Sequence, residues 1–256
     1  MAFYLIGLGL HDKKDITVKG LETVKRCSEV YLENYTSKLS CSKEELEEFY
    51  GKKIILADRK MVEQDFEKSI LPRAKSVDIA LLIIGDVFSA TTHSALMLEA
   101  KKQDVKVHVI NNASVLAAVG ITGLSLYNFG KTTSVPFDNK DVKAPYDVIK
   151  ENRELHTLVL LDLNPSENKF MLAVDAIRFL LSVEKKRKEG VFTKDTKCVI
   201  CADLGSEDPE IAYGSADELS QKNFNRLPQC LLIPGKLHFM EEEFLQMFSL
   251  QLSHNH

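Results

Sequence analysis

The sequence has no excess of basic residues, no long apolar run and no export signal. Its 256 residues include 33 Lys and Arg and 37 Asp and Glu, a formal net charge of −4. A general nucleic-acid binder usually carries a basic excess, so we do not expect nucleic acid as a partner. No apolar stretch approaches the roughly 18 residues that cross a membrane, and the N-terminus lacks the basic start of a secretory signal. We therefore expect a cytoplasmic protein with no membrane partner.

Cysteine is sparse and its number is odd, which argues against a disulfide framework. Five cysteines, mostly in apolar runs, fit reduced thiols in the cytosol. Cys198 and Cys201 have CxxC spacing, but the residues around them are typical of a strand, where positions three apart point to opposite faces. No second CxxC and no histidine pair lies nearby, so we expect no metal site.

The familiar glycine-rich motifs are incomplete. Gly7-Leu8-Gly9 ends the first apolar run, but Asp12 stands where a dinucleotide fingerprint needs its third glycine. The glycines indicate that the backbone approaches something closely there, and both a nucleotide-type ligand and a plain tight turn remain open. Gly130-Lys131-Thr132 lacks the earlier glycine of a phosphate-binding loop, because Ser125 occupies that position.

The stretch GDVFSATTH, residues 85–93, follows the apolar run DIALLII and raises three possibilities. A phosphate-binding loop fails on glycine spacing. A catalytic Thr/His pair has no accompanying nucleophile motif such as GxSxG, so we favour a non-catalytic role for His93. Thr92 stands where the next helix should begin and is expected to cap it. The remaining interpretation is a loop after a strand that lines a pocket.

Apolar strands alternate with amphipathic helices along the first half, which predicts βαβ units and a largely parallel sheet. Thr17 is expected to start a helix, and Ser42 with Glu45 has capping-box spacing before a helix that ends at Gly51. The fold class is α/β with two domains, 1–111 and 112–256. Predicted strands cover 3–10, 53–58, 78–84, 106–111, 156–163, 197–205 and 229–235. Further helices are predicted over 61–70, 92–103, 113–122, 166–188 and 240–250.

Four blocks of sequence, in order, resemble one known family. They are LIGLGL with DITVKGLETVKRCSEVYLENYTS, GDVFSATTH, NASVLAAVGITGLSLYNFGKT and ENRELHTLVLLDL, and together they cover most of residues 3–163. On these blocks the chain resembles the diphthine synthases of the tetrapyrrole-methylase superfamily. The resemblance implies a tetrapyrrole-methylase-like fold, with two α/β domains, a cofactor cleft between them and a homodimer.

The same resemblance implies a methyltransferase that uses S-adenosylmethionine. Its implied protein substrate is elongation factor 2, at a histidine that carries a 3-amino-3-carboxypropyl group, and its product is diphthine or the methyl ester in diphthamide biosynthesis. Two alternatives stay open, a non-catalytic paralogue that binds S-adenosylmethionine and a methylase of a small tetrapyrrole. Methyl transfer from a sulfonium mainly needs positioning, so no nucleophile or metal is required, and no catalytic residue is predicted.

Cofactor contacts are carried over from the family at matching motif positions. The implied contacts are Leu10, Asp86, Ser89, Ser114, Val115, Leu161, Leu204 and Gln229. Asp86 is expected to accept a hydrogen bond from the cofactor or to complement its positive charge, and the alternative is that it caps a turn. The sequence departs from the family at Val87, Asp203 and Gln229, where proline, a basic residue and histidine are usual.

Overall fold

The structure is a computed structural model that describes residues 1–89 and 92–250. The chain divides into two compact units. The N-unit comprises Met1–Val115 and Asn164–Asn168, and the C-unit comprises Leu116–Leu163 and the residues from Lys169 onward. Each unit combines a five-stranded sheet with helices, which confirms the α/β class. That 1–111 and 112–256 are separate domains stays a prediction.

The N-unit contains an entirely parallel sheet in the order β3-β2-β4-β1-β5. Alternate residues of its interior strand β1 enter two different apolar clusters, with Tyr4 and Ile6 in one and Phe3 and Leu5 in the other. Both faces of the sheet are therefore buried, as is usual for parallel sheets. The strands are β1 (Ala2–Gly7), β2 (Glu29–Glu33), β3 (Ile55–Ala57), β4 (Ile79–Ile83) and β5 (Lys106–Ile110).

Capping signals in the sequence correctly locate the first helices. The Thr17 hydroxyl accepts a hydrogen bond from the Gly20 N–H, and Ser42 and Glu45 form the expected reciprocal capping box. Gly51 ends the second helix in the left-handed conformation. The N-unit helices are α1 (Val18–Arg26), α2 (Lys43–Tyr50), α3 (Phe66–Ser69), α4 (Leu71–Ala74) and α5 (Ser94–Lys102), and Lys60–Gln64 forms a π-helical turn.

Two predicted helix boundaries are wrong. The helix expected to stop before Pro72 is instead split, and Pro72 lies in the first turn of α4, where a missing N–H costs nothing. The helix expected from residue 166 begins at Ala173, because the chain first turns back on itself as a short hairpin, β8 (Leu163–Asn164) and β9 (Lys169–Phe170). A hairpin of two-residue strands leaves too little periodicity for sequence reasoning to detect.

The C-unit contains a mixed sheet in the order β11-β10-β12-β7-β6, in which only β6 and β7 are parallel. Its strands are β6 (Thr133–Val135), β7 (Thr157–Leu161), β10 (Lys197–Ala202), β11 (Glu210–Ser215) and β12 (Gln229–Ile233). Its helices are α6 (Val115–Ala118), which starts at the last residue of the N-unit, α7 (Ala144–Asn152), α8 (Ala173–Arg187), α9 (Ala216–Ser220) and α10 (Phe239–Gln246). No helix in the described ranges is long and apolar enough to cross a bilayer.

The Glu184 carboxylate fastens the end of α8 to the loop that follows it. It accepts hydrogen bonds from the N–H groups of Gly190, Val191 and Phe192, at 2.8 to 3.0 Å, and from the Tyr146 hydroxyl at 2.7 Å. Burial alone would raise the pKa of this carboxyl, but the donors outweigh it and lower the pKa to about 2. The folded protein therefore stabilises the ionised form of the Glu184 carboxyl.

We expect Glu184→Gln to lower the free energy of unfolding at pH 7 by about 2 kcal/mol, because several charge-assisted bonds are weakened. Since the folded pKa lies below the unfolded value, the wild-type advantage is complete above the ordinary glutamate pKa and is lost as pH falls toward 2. Urea unfolding of both proteins at pH 7 and pH 3 measures this. Glu189→Gln, at a neighbouring exposed ion pair, is the control. An equal loss at both pH values would contradict the assignment.

Candidate functional site

Three loops meet where β1, β4 and β5 end. The loop after β1 is joined to the loop after β4 by a pair of backbone hydrogen bonds. The Gly9 N–H donates to the Gly85 carbonyl at 3.2 Å, and the Gly85 N–H donates to the Gly9 carbonyl at 2.7 Å. Both glycines have positive φ, 82° and 85°, which explains why glycine occupies both positions.

The strand order makes this end of the sheet a natural ligand site. From β1 the chain leaves toward β2, past β4, and from β4 it leaves toward β5, past β1. The connections of these two neighbouring strands therefore run in opposite directions. Open parallel sheets bind ligands at such a switch point.

Asn112, directly after β5, brings the third loop into the junction. Its side-chain amide donates to the carbonyls of Gly7 at 2.9 Å and of Asp15 at 3.0 Å. A Cβ atom added to Gly7 would lie 2.7 Å from the Gly85 carbonyl oxygen and 2.9 Å from the Asn112 Cβ. Packing within the protein is therefore the first reason why glycine occupies this position.

The loop after β1 is held by Asp15. The carboxylate of Asp15 accepts the backbone N–H groups of Leu10 at 3.1 Å and of His11 at 2.7 Å. A Cβ added to Gly9 would lie 2.5 Å from the Asp15 Cβ. The tight-turn interpretation of the GxG pair is thus confirmed, and a ligand-binding role for the half-buried Leu10 stays a prediction.

The Asp86 carboxylate is the anionic centre of the junction. One oxygen accepts the Phe88 N–H at 3.0 Å and faces the Ser89 hydroxyl at 3.4 Å. The other accepts the Asn111 side-chain amide at 3.0 Å and the Asn112 N–H at 3.1 Å. Burial alone would raise the pKa of Asp86, but these donors outweigh it and the pKa is lowered.

These contacts distinguish between the roles expected for Asp86, which are capping a turn, accepting a hydrogen bond from the cofactor and complementing its positive charge. The bond to the Phe88 N–H is a turn cap, so that interpretation is confirmed. An ionised carboxylate has about four acceptor positions, and four donors already face it. A cofactor donor would have to displace one of them. Complementing a positive charge requires no displacement and is the role that the geometry leaves available.

The rim of the junction carries little side-chain bulk. Among the described residues, a Cβ added to Gly85 would meet only the Ala113 carbonyl, at 3.9 Å, so these residues leave space beside the Asp86 backbone. Ser114 is buried next to this rim along the chain, and the half-buried Val115 begins α6. The described residues here present backbone groups and one anchored carboxylate.

The three predicted contacts in the C-unit also lie together, at one end of its sheet. Gln229 pairs with Ala202, the last residue of β10, and Leu204 follows two residues later. Leu161, the last residue of β7, lies one position beyond the Leu160–Cys230 pair, at the same end as Gln229. All three predicted residues are buried. Each group of predicted contacts is therefore assembled within its own unit.

Within residues 1–89 and 92–250, no group of three or more His, Cys, Asp or Glu side chains is arranged to hold a metal ion. Cys198 and Cys201 both lie buried in β10, and Cys201 pairs across strands with Cys230. The CxxC spacing is thus explained by packing.

Comparisons with known proteins identify the family. Residues 2–220 match the Tetrapyrrole (Corrin/Porphyrin) Methylases. The chain is 46% identical to the diphthine synthase of Methanocaldococcus jannaschii over 249 residues, 94% of this chain and 96% of the relative. It is 43% identical to the diphthine methyl ester synthase of Schizosaccharomyces pombe, over 98% and 95% of the two chains. A solved diphthine synthase structure superposes with a TM-score of 0.89 at 39% identity, covering 97% of this chain and 96% of that one.

The chain belongs to the diphthine synthases. It is therefore a methyltransferase with the tetrapyrrole-methylase fold, and the resemblance in its first 163 residues is confirmed over almost the whole chain.

Gln229, which departs from the histidine usual in diphthine synthases, has a local structural explanation. Its side-chain oxygen accepts the Ala173 N–H at 2.8 Å, and so caps the first turn of α8. Its amide nitrogen donates to the carbonyls of Phe224 at 3.0 Å and Arg226 at 2.9 Å. Both amide donors and one of the two acceptor positions of the oxygen are thus engaged within the protein.

Sequence reasoning did not identify the residues that hold the three loops after β1, β4 and β5 in place. Asn111 and Asn112 anchor Asp86, and their position directly after a predicted strand was the available signal. Thr92 is not the cap of α5, because the helix begins at Ser94 and His93 occupies the capping position. His93 instead contacts the Val87 carbonyl at 3.0 Å and the carboxylate of Glu33.

We expect Gly7→Ala to lower the free energy of unfolding by about 2 kcal/mol, because the new methyl group would strike backbone on the neighbouring loop. Chemical denaturation measures the change. Gly214→Ala is the matched control, since its added methyl would come no closer than 3.3 Å, to a side-chain oxygen of Glu218, and would strike no backbone. Equal stability of the Gly7 variant and the wild type would show that the loops separate more easily than this packing indicates.

Proposed function

We propose that this diphthine synthase transfers methyl groups from S-adenosylmethionine to the 3-amino-3-carboxypropyl histidine of elongation factor 2. The product would be diphthine or its methyl ester, an intermediate of diphthamide biosynthesis. The full-length identity to proteins named diphthine synthase and diphthine methyl ester synthase supports the substrate. The structural observation that carries the proposal is the anchored, ionised Asp86 at the switch point of the parallel sheet.

We infer that the predicted contacts hold the cofactor in two groups. The N-unit group surrounds the space beside Gly85, where the Asp86 carboxylate would complement the positive charge of the cofactor. In the C-unit group, Gln229 would act through its backbone or through the second lone pair of its side-chain oxygen, because both amide donors and the other lone pair are engaged within the protein. The N-unit contacts are Leu10, Asp86, Ser89, Ser114 and Val115, and the C-unit contacts are Leu161, Leu204 and Gln229.

The chain's own contribution to the reaction is positioning. S-adenosylmethionine supplies an already activated methyl group, so the protein needs to orient the acceptor amine in line with it. The amine must be neutral when it attacks, and a site with little water favours the neutral form. Two backbone bonds and the Asp86 contacts hold the loops before the cofactor arrives, which reduces the entropy lost on binding.

We also propose that the reaction takes place in the cytoplasm, with no nucleic-acid or membrane partner. Elongation factor 2 works there, and the five cysteines are free thiols in the described structure, which suits a reducing compartment.

The decisive experiment measures radiolabelled methyl transfer to elongation factor 2 that carries the unmethylated intermediate. We expect label in the factor with the wild type. Calorimetric titration of S-adenosylmethionine should show affinity lowered at least tenfold in Asp86→Asn, because the negative charge is removed and the asparagine nitrogen would face donors that the carboxylate accepts. Asp78→Asn is the matched control, since Asp78 directly precedes β4, at the opposite end of that strand, and its carboxylate accepts the Ala2 N–H at 2.8 Å.

Three results would contradict parts of this proposal. Cofactor binding without label in the factor would favour a non-catalytic paralogue, an alternative motivated by the departures at Val87, Asp203 and Gln229. Label in a small tetrapyrrole would favour the second alternative. Unchanged affinity of a folded Asp86→Asn protein would exclude the electrostatic role of Asp86.

We propose further that the protein is a homodimer and that the C-unit provides the interface. Gly123 packs against the ring of Phe244, and the Ser125 N–H bonds Glu241, so α10 and residues 121–127 form one surface. That surface is apolar and exposed, with Tyr127 98% and Met247 67% accessible. Its other exposed apolar residues are Ile121, Leu126, Phe239 and Met240. Large exposed apolar patches mark interfaces, and one self-complementary patch is what a two-fold dimer uses.

We expect sedimentation to show a dimer for the wild type and a monomer for the double variant Tyr127→Asp/Met247→Asp, because charges would be buried at the interface. Val18→Asp, at an equally exposed apolar position on α1 of the N-unit, should leave the dimer intact. A dimer that survives the double variant would move the interface elsewhere.

A further inference from the structure

Behind the Asp86 loop lies a buried pair of side chains that the proposed function does not use. Glu33, the last residue of β2, is 0% exposed, and His93, at the start of α5, is 2% exposed. The Nε2 atom of His93 contacts the Glu33 carboxylate, and the Nδ1 atom lies 3.0 Å from the Val87 carbonyl oxygen. Val87 is the residue next to Asp86, so the pair reaches the back of the candidate cofactor loop.

The partners determine the protonation state of His93. With Glu33 ionised, its carboxylate and the Val87 carbonyl are both hydrogen-bond acceptors, so both ring nitrogens donate and the ring is an imidazolium. Burial alone would lower the pKa of His93, but the hydrogen bond and the negative charge of Glu33 outweigh it and the pKa is raised. The buried pair is thus an ion pair with both nitrogens satisfied.

A second buried histidine–glutamate pair, in the C-unit, shows the opposite arrangement. The Nε2 atom of His156 lies 3.2 Å from the Glu241 carboxylate, but the Nδ1 atom accepts the Gly235 N–H at 3.0 Å. Because Nδ1 is an acceptor, it carries no proton. The two pairs contain the same residue types, yet only the N-unit pair requires a protonated ring.

The N-unit pair completes a two-sided attachment of the loop after β4. On one side, Asp86 is held through Asn111 and Asn112 to the end of β5. On the other side, Val87 is held through His93 to the end of β2. Loss of the proton from His93 would leave a lone pair facing either the Glu33 carboxylate or the Val87 carbonyl, so one of the two links would break.

We propose that Glu33 and His93 are positioning residues that hold the backbone of the Asp86 loop in its cofactor-binding position through the Val87 carbonyl. The inference rests on the proposed function, because it assigns a role at the same S-adenosylmethionine site. It adds that cofactor affinity depends on the protonation of a histidine that does not touch the cofactor.

Other charged groups face the pair and belong to the same environment. The Glu33 carboxylate also accepts the Thr36 hydroxyl. Glu63, from the π-helical turn, acts electrostatically on His93 and on Tyr35, and Arg59 lies over the Tyr35 ring at 5.2 Å. Glu63 favours the protonated ring, in the same direction as Glu33.

His93→Gln tests the proposal, with His156→Gln as the matched control. In each variant the glutamine amide can still donate to the partner glutamate, and only the bond of Nδ1 to the backbone is lost. We expect calorimetry at pH 7 to show S-adenosylmethionine binding weakened about tenfold in His93→Gln and unchanged in His156→Gln. Both variants should lose thermal stability, so a general structural effect would weaken binding in both.

The pH profile supplies a readout that a purely structural role would not change. Because the folded pKa of His93 is raised, its stabilising contribution is complete below the ordinary histidine pKa and is lost as pH rises through the folded value. Wild-type affinity should therefore fall as pH rises through that value, as should the affinity of His156→Gln. The profile of His93→Gln should lack this step.

The outcomes distinguish this inference from the proposed function. A wild type that does not bind S-adenosylmethionine overturns the proposed function. A wild type that binds, together with a His93→Gln variant of equal affinity and equal pH profile, overturns only the positioning role. If His93→Gln does not fold, Glu33→Gln replaces it, because removal of the carboxylate charge should move the pH step to lower pH. An unmoved step would overturn the proposal.

Discussion

The hydrogen-bond junction between Gly9 and Gly85 is the constraint on which the candidate site depends. It joins the loops of two neighbouring parallel strands whose connections leave in opposite directions. Asn112 and Asp86 add the third loop to the same junction. Each contact is made by backbone or by a side chain that caps backbone, so the polar groups at three strand ends are satisfied within the protein. A site built this way is held in place before any ligand binds.

Charge placement distinguishes the front of this junction from its back. At the front, the hydrogen-bond donors around Asp86 lower the pKa of its carboxyl and favour the anionic form. Glu33 and His93 form a closed ion pair behind the loop and are almost fully buried. A reaction that depends on orienting an activated methyl group needs this kind of rigid support more than it needs a nucleophile. The C-unit pair of His156 and Glu241 shows that a buried histidine–glutamate contact does not by itself imply a protonated ring.

Local signals predicted the elements whose causes are local. The capping box at Ser42, the cap at Thr17 and the apolar run of β4 all depend on residues within a few positions of one another. Sequence reasoning failed where a distant partner decides. Strand β2 was missed because it ends in Glu33, a charge that is buried only because His93 lies 60 positions later. The start of α8 was misplaced because its first turn is capped by Gln229, which is 56 positions away.

The sequence by itself determined the α/β class, the diphthine synthase family and the set of candidate cofactor contacts, because these follow from periodicity and from ordered motif blocks. Only the tertiary structure decided what those residues are free to do. It showed that the four acceptor positions of Asp86 already have donors and that the Gln229 amide is engaged with backbone. Hydrogen-bond capacity is finite, and how much of it remains for a ligand depends on neighbours that the fold brings together from distant parts of the chain.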